Sequence, residues 1–125
     1  MKHGLLLFAH GARDSRWALP FEAIVERVRE RAPGLPVALG FLEFMTPTLV
    51  EAGHALAAQG CERVEVVPLF LGAGGHVRRD VPLLVAALEE AHPRVHWETR
   101  PAIGEVDSVV DAMAAAALAG LPREP

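Results

Sequence analysis

The chain is poor in cysteine, in long apolar runs and in excess charge of either sign. Its 125 residues hold one cysteine, Cys61. That excludes an internal disulfide and fits a reducing compartment. No apolar run approaches the ~20 residues of a membrane-spanning helix. The opening Lys2-His3 leads into a short apolar run, too short for the core of a signal peptide, so the cytoplasm is the expected location. Lys and Arg number 12 against 16 Asp and Glu, a formal charge of −4. A broad nucleic-acid surface is therefore not expected, although a local basic pocket is compatible with this balance. Linkers and low-complexity stretches are also missing. What is present is apolar material: 51% of the residues are hydrophobic, ample for one core and too many for disorder.

That material is arranged in alternation. Residues 4–9 read as a fully buried strand, followed by a helix over about 19–32 that opens at Pro20 and stops at Pro33-Gly34. A second apolar run covers 36–42. Thr46 then reads as an N-cap with Pro47 at the first helical position, and this helix runs to Gln59 with Gly60 behind it. Residues 63–71 form a third strand. Asp80 reads as the cap of the next helix, with Pro82 in its first turn. Residues 94–100 alternate as a fourth, more exposed strand, and a helix over 105–119 ends at Gly120. Ala114 to Ala117 give that last helix a small-residue face suited to a sheet or a partner helix.

Four βα units predict a three-layer α/β/α fold around a four-stranded parallel sheet. The order chosen is the flavodoxin-like 2-1-3-4. One domain is expected over 1–120, with 121–125 as a loose tail. Four strands leave two open edges, for which a homodimer is one remedy.

Three polar residues stand just past the first three apolar runs: His10, Glu43 and His76. Parallel strands would gather them at one edge of the sheet. In this order the chain reverses between strands 1 and 3, and ligands bind outside the strand ends at such a switch point. Two imidazoles and a carboxylate suit a metal or proton-transfer site. Each also has a bland reading, as a turn histidine or a solvated acid. If partly buried, Glu43 would accept protons near neutral pH. The glycines before His76, at 72, 74 and 75, match neither G-x-G-x-x-G nor a Walker loop. They would allow close approach of a flat ligand. Arg13, Arg16, Arg78 and Arg79 flank the trio and suit a carboxylate- or phosphate-bearing substrate. His3, His54, His92 and His96 read as structural or solvated, Trp17 and Trp97 as packing residues, Met45 as packing and Cys61 as a small buried residue.

Three segments carry a family resemblance. They are His10-Gly11 with Arg13-Asp14, then 42–49 (Leu-Glu-Phe-Met-Thr-Pro-Thr-Leu), then 68–77 (Pro-Leu-Phe-Leu-Gly-Ala-Gly-Gly-His-Val) with Asp80 and Pro82. Together they resemble the small, single-domain sirohydrochlorin cobaltochelatases of the class II tetrapyrrole chelatases. The resemblance runs from about Leu5 to the 101–104 loop. It departs at Ala12, where the family commonly has serine.

The resemblance implies insertion of a divalent ion into sirohydrochlorin, with Co²⁺ first and Fe²⁺ or Ni²⁺ as alternatives. It implies no organic cofactor. His10 and His76 would hold the metal, and Glu43 would share the catalytic work. Arg13, Gly72, Ala73, Gly74, Gly75 and Arg78 would contact the macrocycle. Since larger relatives have two such lobes, a homodimer with a shared cleft follows, with no nucleic-acid or membrane partner. The rival expectations are a siroheme-type ferrochelatase, a non-catalytic metal- or tetrapyrrole-binding protein, and a phosphate-ester enzyme using His10 beside Arg13.

Overall fold

The computed structural model of the chain describes residues 1–72 and 74–122, with His76 described through its backbone alone. Four parallel strands, β1 (His3–Ala9), β2 (Val37–Phe41), β3 (Arg63–Pro68) and β4 (His96–Thr99), lie in the order β2-β1-β3-β4. The expected order 2-1-3-4 is the observed one. The strands are joined by α1 (Leu19–Arg31), α2 (Leu49–Ala58) and α3 (Gly75–Ala91), and α4 (Asp107–Leu118) closes the chain.

Side-chain alternation in β1 divides the core between the two faces of the sheet. Leu6 and Phe8 join Val64 and Val66 of β3 under Leu49 and Leu56 of α2 and Val81, Val85 and Leu88 of α3. Leu7, on the other face, packs with Val37 and Val67 against Val25 and Val28 of α1. Trp97 and Cys61 are buried in the first cluster, and Trp17 packs on the third, around Phe41 and Ala18. The packing readings for these residues agree with the structure.

Two helix starts differ from expectation. Helix α2 is capped by Thr48, not Thr46. Thr48 Oγ1 accepts from the Glu51 amide at 3.1 Å, and Glu51 Oε1 accepts from the Thr48 amide at 2.8 Å. This reciprocal pair satisfies two donors that a helix end would otherwise leave open, and Thr46 lacks a glutamate three residues on. Helix α3 begins at Gly75 behind an N-cap at Gly74, so Asp80 and Pro82 lie inside it. A proline inside a helix removes one hydrogen bond. Here the valines at 77, 81 and 85 keep the helix on the sheet across that gap.

The last helix stands apart from the sheet. It follows a short 3-10 turn at Ile103–Glu105 and has no buried residue. The face of the sheet beside α1 is therefore only partly roofed. The expected tail at 121–125 lies outside the described residues from 123 onward.

Candidate metal-insertion site

The carboxyl ends of β1 and β2 are zipped together beyond the strands. The His10 carbonyl accepts from the amides of Leu42 (3.1 Å) and Glu43 (2.9 Å). Gly11 turns the chain away with a φ of 100°, a left-handed conformation that glycine adopts without steric cost. A Cβ there would come within 1.8 Å of the Glu43 carbonyl oxygen. His10 and Glu43 are thus held side by side by backbone, and the glycine between His10 and Ala12 is what permits it.

His10 and Glu43 line one small cavity of about 100 Å³ with Leu42, Val77, Asp80 and Leu84. The His10 ring is stacked on Phe70, with centroids 4.3 Å apart and planes at 28°. That contact fixes the ring plane while leaving the residue exposed at the strand end. Glu43 is exposed as well, rather than partly buried. Val77 and Asp80 bring the first turns of α3 to the cavity, and His76 is the second residue of that helix. Its side chain lies outside the described part of the structure, as does Ala73. Among the described residues, no three His, Cys, Asp or Glu side chains already form a metal-binding group.

The arginines divide. Arg16 is tied to Asp14 at 2.9 Å, and this guanidinium holds the Asp14 carboxyl below its usual range. The Asp14 carboxylate also accepts from the Arg16 amide at 2.9 Å and so caps the 3-10 turn at Ser15–Ala18. Arg13 lies with its guanidinium carbon 4.9 Å from the centre of the Phe44 ring. Arg78 is exposed and lines a neighbouring apolar cavity of about 230 Å³ with Phe70 and Pro101. Val77 lines both cavities, and Phe70 lines the larger one while stacking on His10. Gly72 and Gly74 lead into α3, and Gly75 is its first residue.

Two residues in this region escape a reading along the sequence. Phe70 looks like the end of an apolar run, and its stacking on His10 depends on strand register. Asp80 reads as a helix cap, yet it stands four residues after His76, the spacing at which helical neighbours meet. That spacing was the available signal. Of the weaker histidines, His54 and His92 meet each other, Nδ1 to Nε2 at 2.7 Å, remote in sequence from the trio.

The model of the CbiX family matches residues 4–118. The sirohydrochlorin cobaltochelatase of Methanocaldococcus jannaschii is 37% identical over 93 residues, 70% of this chain and 62% of that protein. The sirohydrochlorin cobaltochelatase of Sulfurisphaera tokodaii is 34% identical over 83 residues, 64% of this chain and 65% of that protein. The chain thus covers less than two thirds of the length of either. Among solved structures, the CbiX protein of Marinobacter aquaeolei VT8 superposes with a TM-score of 0.81 at 34% identity, covering 92% of this chain and 93% of that one. SirB of Bacillus subtilis with Fe³⁺ gives 0.83 at 27% identity, covering 99% of this chain but 50% of SirB.

Proposed function

The chain belongs to the CbiX family, and from that premise we propose that it is an enzyme inserting a divalent metal ion, Co²⁺ first, into sirohydrochlorin. The observation that carries this reading is the shared cavity: His10 and Glu43 line it together with the first turns of the helix that bears His76. The names of the curated relatives support cobalt and sirohydrochlorin.

Metal insertion exchanges two pyrrole N–H protons for one M²⁺. Neutral imidazole is a good ligand for Co²⁺, Fe²⁺ and Ni²⁺. In this proposal His10 and His76 hold the incoming ion, leaving coordination positions open for water and then for ring nitrogens. Glu43 accepts the departing protons, and its exposure lets it pass them to water. Arg13 and Arg78 hold peripheral carboxylates of the macrocycle, and the backbone at Gly72, Ala73, Gly74 and Gly75 lies against its flat face. No organic cofactor is needed for this exchange.

The size of the cavity bears on the assembly. About 100 Å³ suits a hydrated ion but not a tetrapyrrole, whose binding needs several hundred Å³. A homodimer with a shared cleft supplies the missing space, and the match to only half of SirB supports that reading. The working unit is residues 1–120, with 121–125 as a tail, acting in the cytoplasm. Among the described residues no helix is long and apolar enough to cross a membrane.

The iron reading has its own support, since the matched SirB structures carry Fe³⁺ and cobalt. The test is anaerobic insertion with sirohydrochlorin and Co²⁺, Fe²⁺ and Ni²⁺ in parallel, followed by absorbance. Fastest conversion with Co²⁺ is expected. Faster conversion with Fe²⁺ would move the assignment to siroheme-type chemistry. A spectral shift on binding, without conversion by any ion, would leave a binding protein, the reading that Ala12 favours.

A further inference from the structure

His54 and His92 bring two imidazoles together away from the site described above. Nδ1 of His54 lies 2.7 Å from Nε2 of His92, with ring centroids 5.0 Å apart and planes at 66°. The contact joins elements far apart in sequence. His54 is an exposed residue in the middle of α2, and His92 is the half-buried residue that caps the end of α3. Water could satisfy either ring at this surface, so the hydrogen bond is not forced by burial.

Both backbones are fixed beneath the pair. Gly53, directly before His54, lets α2 lie close on α3: a Cβ there would come within 2.6 Å of the Leu88 side chain, which is fully buried. The Leu88 carbonyl accepts from the His92 amide at 2.9 Å, and the His92 carbonyl accepts from the Val95 amide at 3.0 Å. The buried Trp97 stands beside His92, with ring centroids 6.1 Å apart. One leucine therefore sets both the approach of the two helices and the position of His92. Only the side-chain torsions of the two histidines remain free. Donor atoms converging from rigid elements are what a metal site requires.

The pair is distant from the cavity of His10 and Glu43. That cavity meets the first turns of α3, whereas His92 follows its last residue. At about 1.5 Å per residue, the 17 residues of α3 put about 25 Å between the two places. Glu51 and Glu89 each stand three residues before one of the pair, at the spacing of helical neighbours, and add negative charge that favours a cation. Arg94, two residues beyond His92, opposes them in part.

We propose that His54 and His92 form a second metal site, which takes one first-row divalent ion and holds Ni²⁺ or Cu²⁺ more tightly than Co²⁺. Imidazole suits these ions, and affinity rises from cobalt through nickel to copper. At metal–nitrogen distances of about 2.0–2.1 Å, two imidazoles in adjacent octahedral positions have nitrogens about 2.9 Å apart. The observed pair has to open by only about 0.2 Å, with the rings turned so that both lone pairs aim at the ion. The proton between the rings leaves the contacting nitrogen, and the same ring takes one up from water on its outer nitrogen. Both imidazoles stay neutral, and no net proton is released. Among the described residues no third His, Cys, Asp or Glu completes a metal-binding group there, so water fills the other positions and the ion stays exchangeable. Because its ligands come from α2 and the end of α3, the ion also ties these helices together.

Titration calorimetry with Ni²⁺, on chain carrying no purification tag, tests the second site. His10→Ala and His76→Ala are combined to remove the proposed insertion site, and His92→Ala or His54→Ala is then added. The expected result is one Ni²⁺ per chain at micromolar affinity for the combined variant, weakened by about tenfold or more once either further histidine is replaced. No binding by the folded combined variant, or binding that survives both further replacements, overturns the second site. Neither result bears on cobalt insertion by the unaltered chain, which is assayed separately. NMR of the unaltered chain serves where a variant does not fold. Paramagnetic Ni²⁺ should broaden the imidazole signals of His54 and His92, and sharp signals for both in excess Ni²⁺ would likewise overturn the site.

Discussion

Gly11, Phe70 and Asp80 decide how His10 and Glu43 are presented, although none of them was chosen for chemistry. Gly11 lets two strand ends close on each other, Phe70 sets the plane of the imidazole, and Asp80 adds a second carboxylate to the cavity. Carboxylates near metal-binding histidines orient the rings and raise their basicity. Asp80→Asn keeps the shape and removes the charge. It should lower cobalt insertion by about 10–100-fold, the usual loss for such an outer partner. Steady-state rates at varied Co²⁺ check this, with an unfolding curve to show that stability is retained. His10 and Glu43 were legible in the sequence because each directly follows a strand, and a strand end is visible as the end of an apolar run. Phe70 and Asp80 were not, since their roles depend on which strand lies beside which and on where α3 begins.

At the scale of elements, the alternation of strands and helices was fully readable, because buried parallel strands are continuous apolar runs bounded by turn residues. The helix starts were not. Two signals, an aspartate and a proline two residues later, both pointed to a start at residue 80. The structure starts α3 at Gly75 instead, because the valines at 77, 81 and 85 have a place in the core. That shift is why His76 sits in the first turn of a helix rather than in a loop. The cap of α2 offers a clean check. Thr48→Ala should cost about 1 kcal/mol in urea unfolding, the usual worth of an N-cap side chain. Thr46→Ala should change little. Equal losses would restore Thr46 as the cap.

For the molecule as a whole, composition bounded the answer before any motif did. One cysteine, balanced charge and no long apolar run left a single α/β unit, and its strand order placed the candidate site at the switch point. What the sequence could not convey was how the last helix sits against the sheet. Ala114 to Ala117 suggested packing against a sheet or a partner helix, and the structure leaves α4 with no buried residue on its own sheet. A small ion-sized cavity, an unroofed groove and an exposed apolar helix are the three features that the proposed homodimer would account for.

The central claim is that His10 and His76 together deliver the ion. The most direct measurement is anaerobic cobalt insertion into sirohydrochlorin by His10→Ala and His76→Ala, each compared with the unaltered chain and each checked for folding by circular dichroism. The account predicts that both variants fold and that both lose about a hundredfold or more of the insertion rate. Insertion at the normal rate by either folded variant would contradict it.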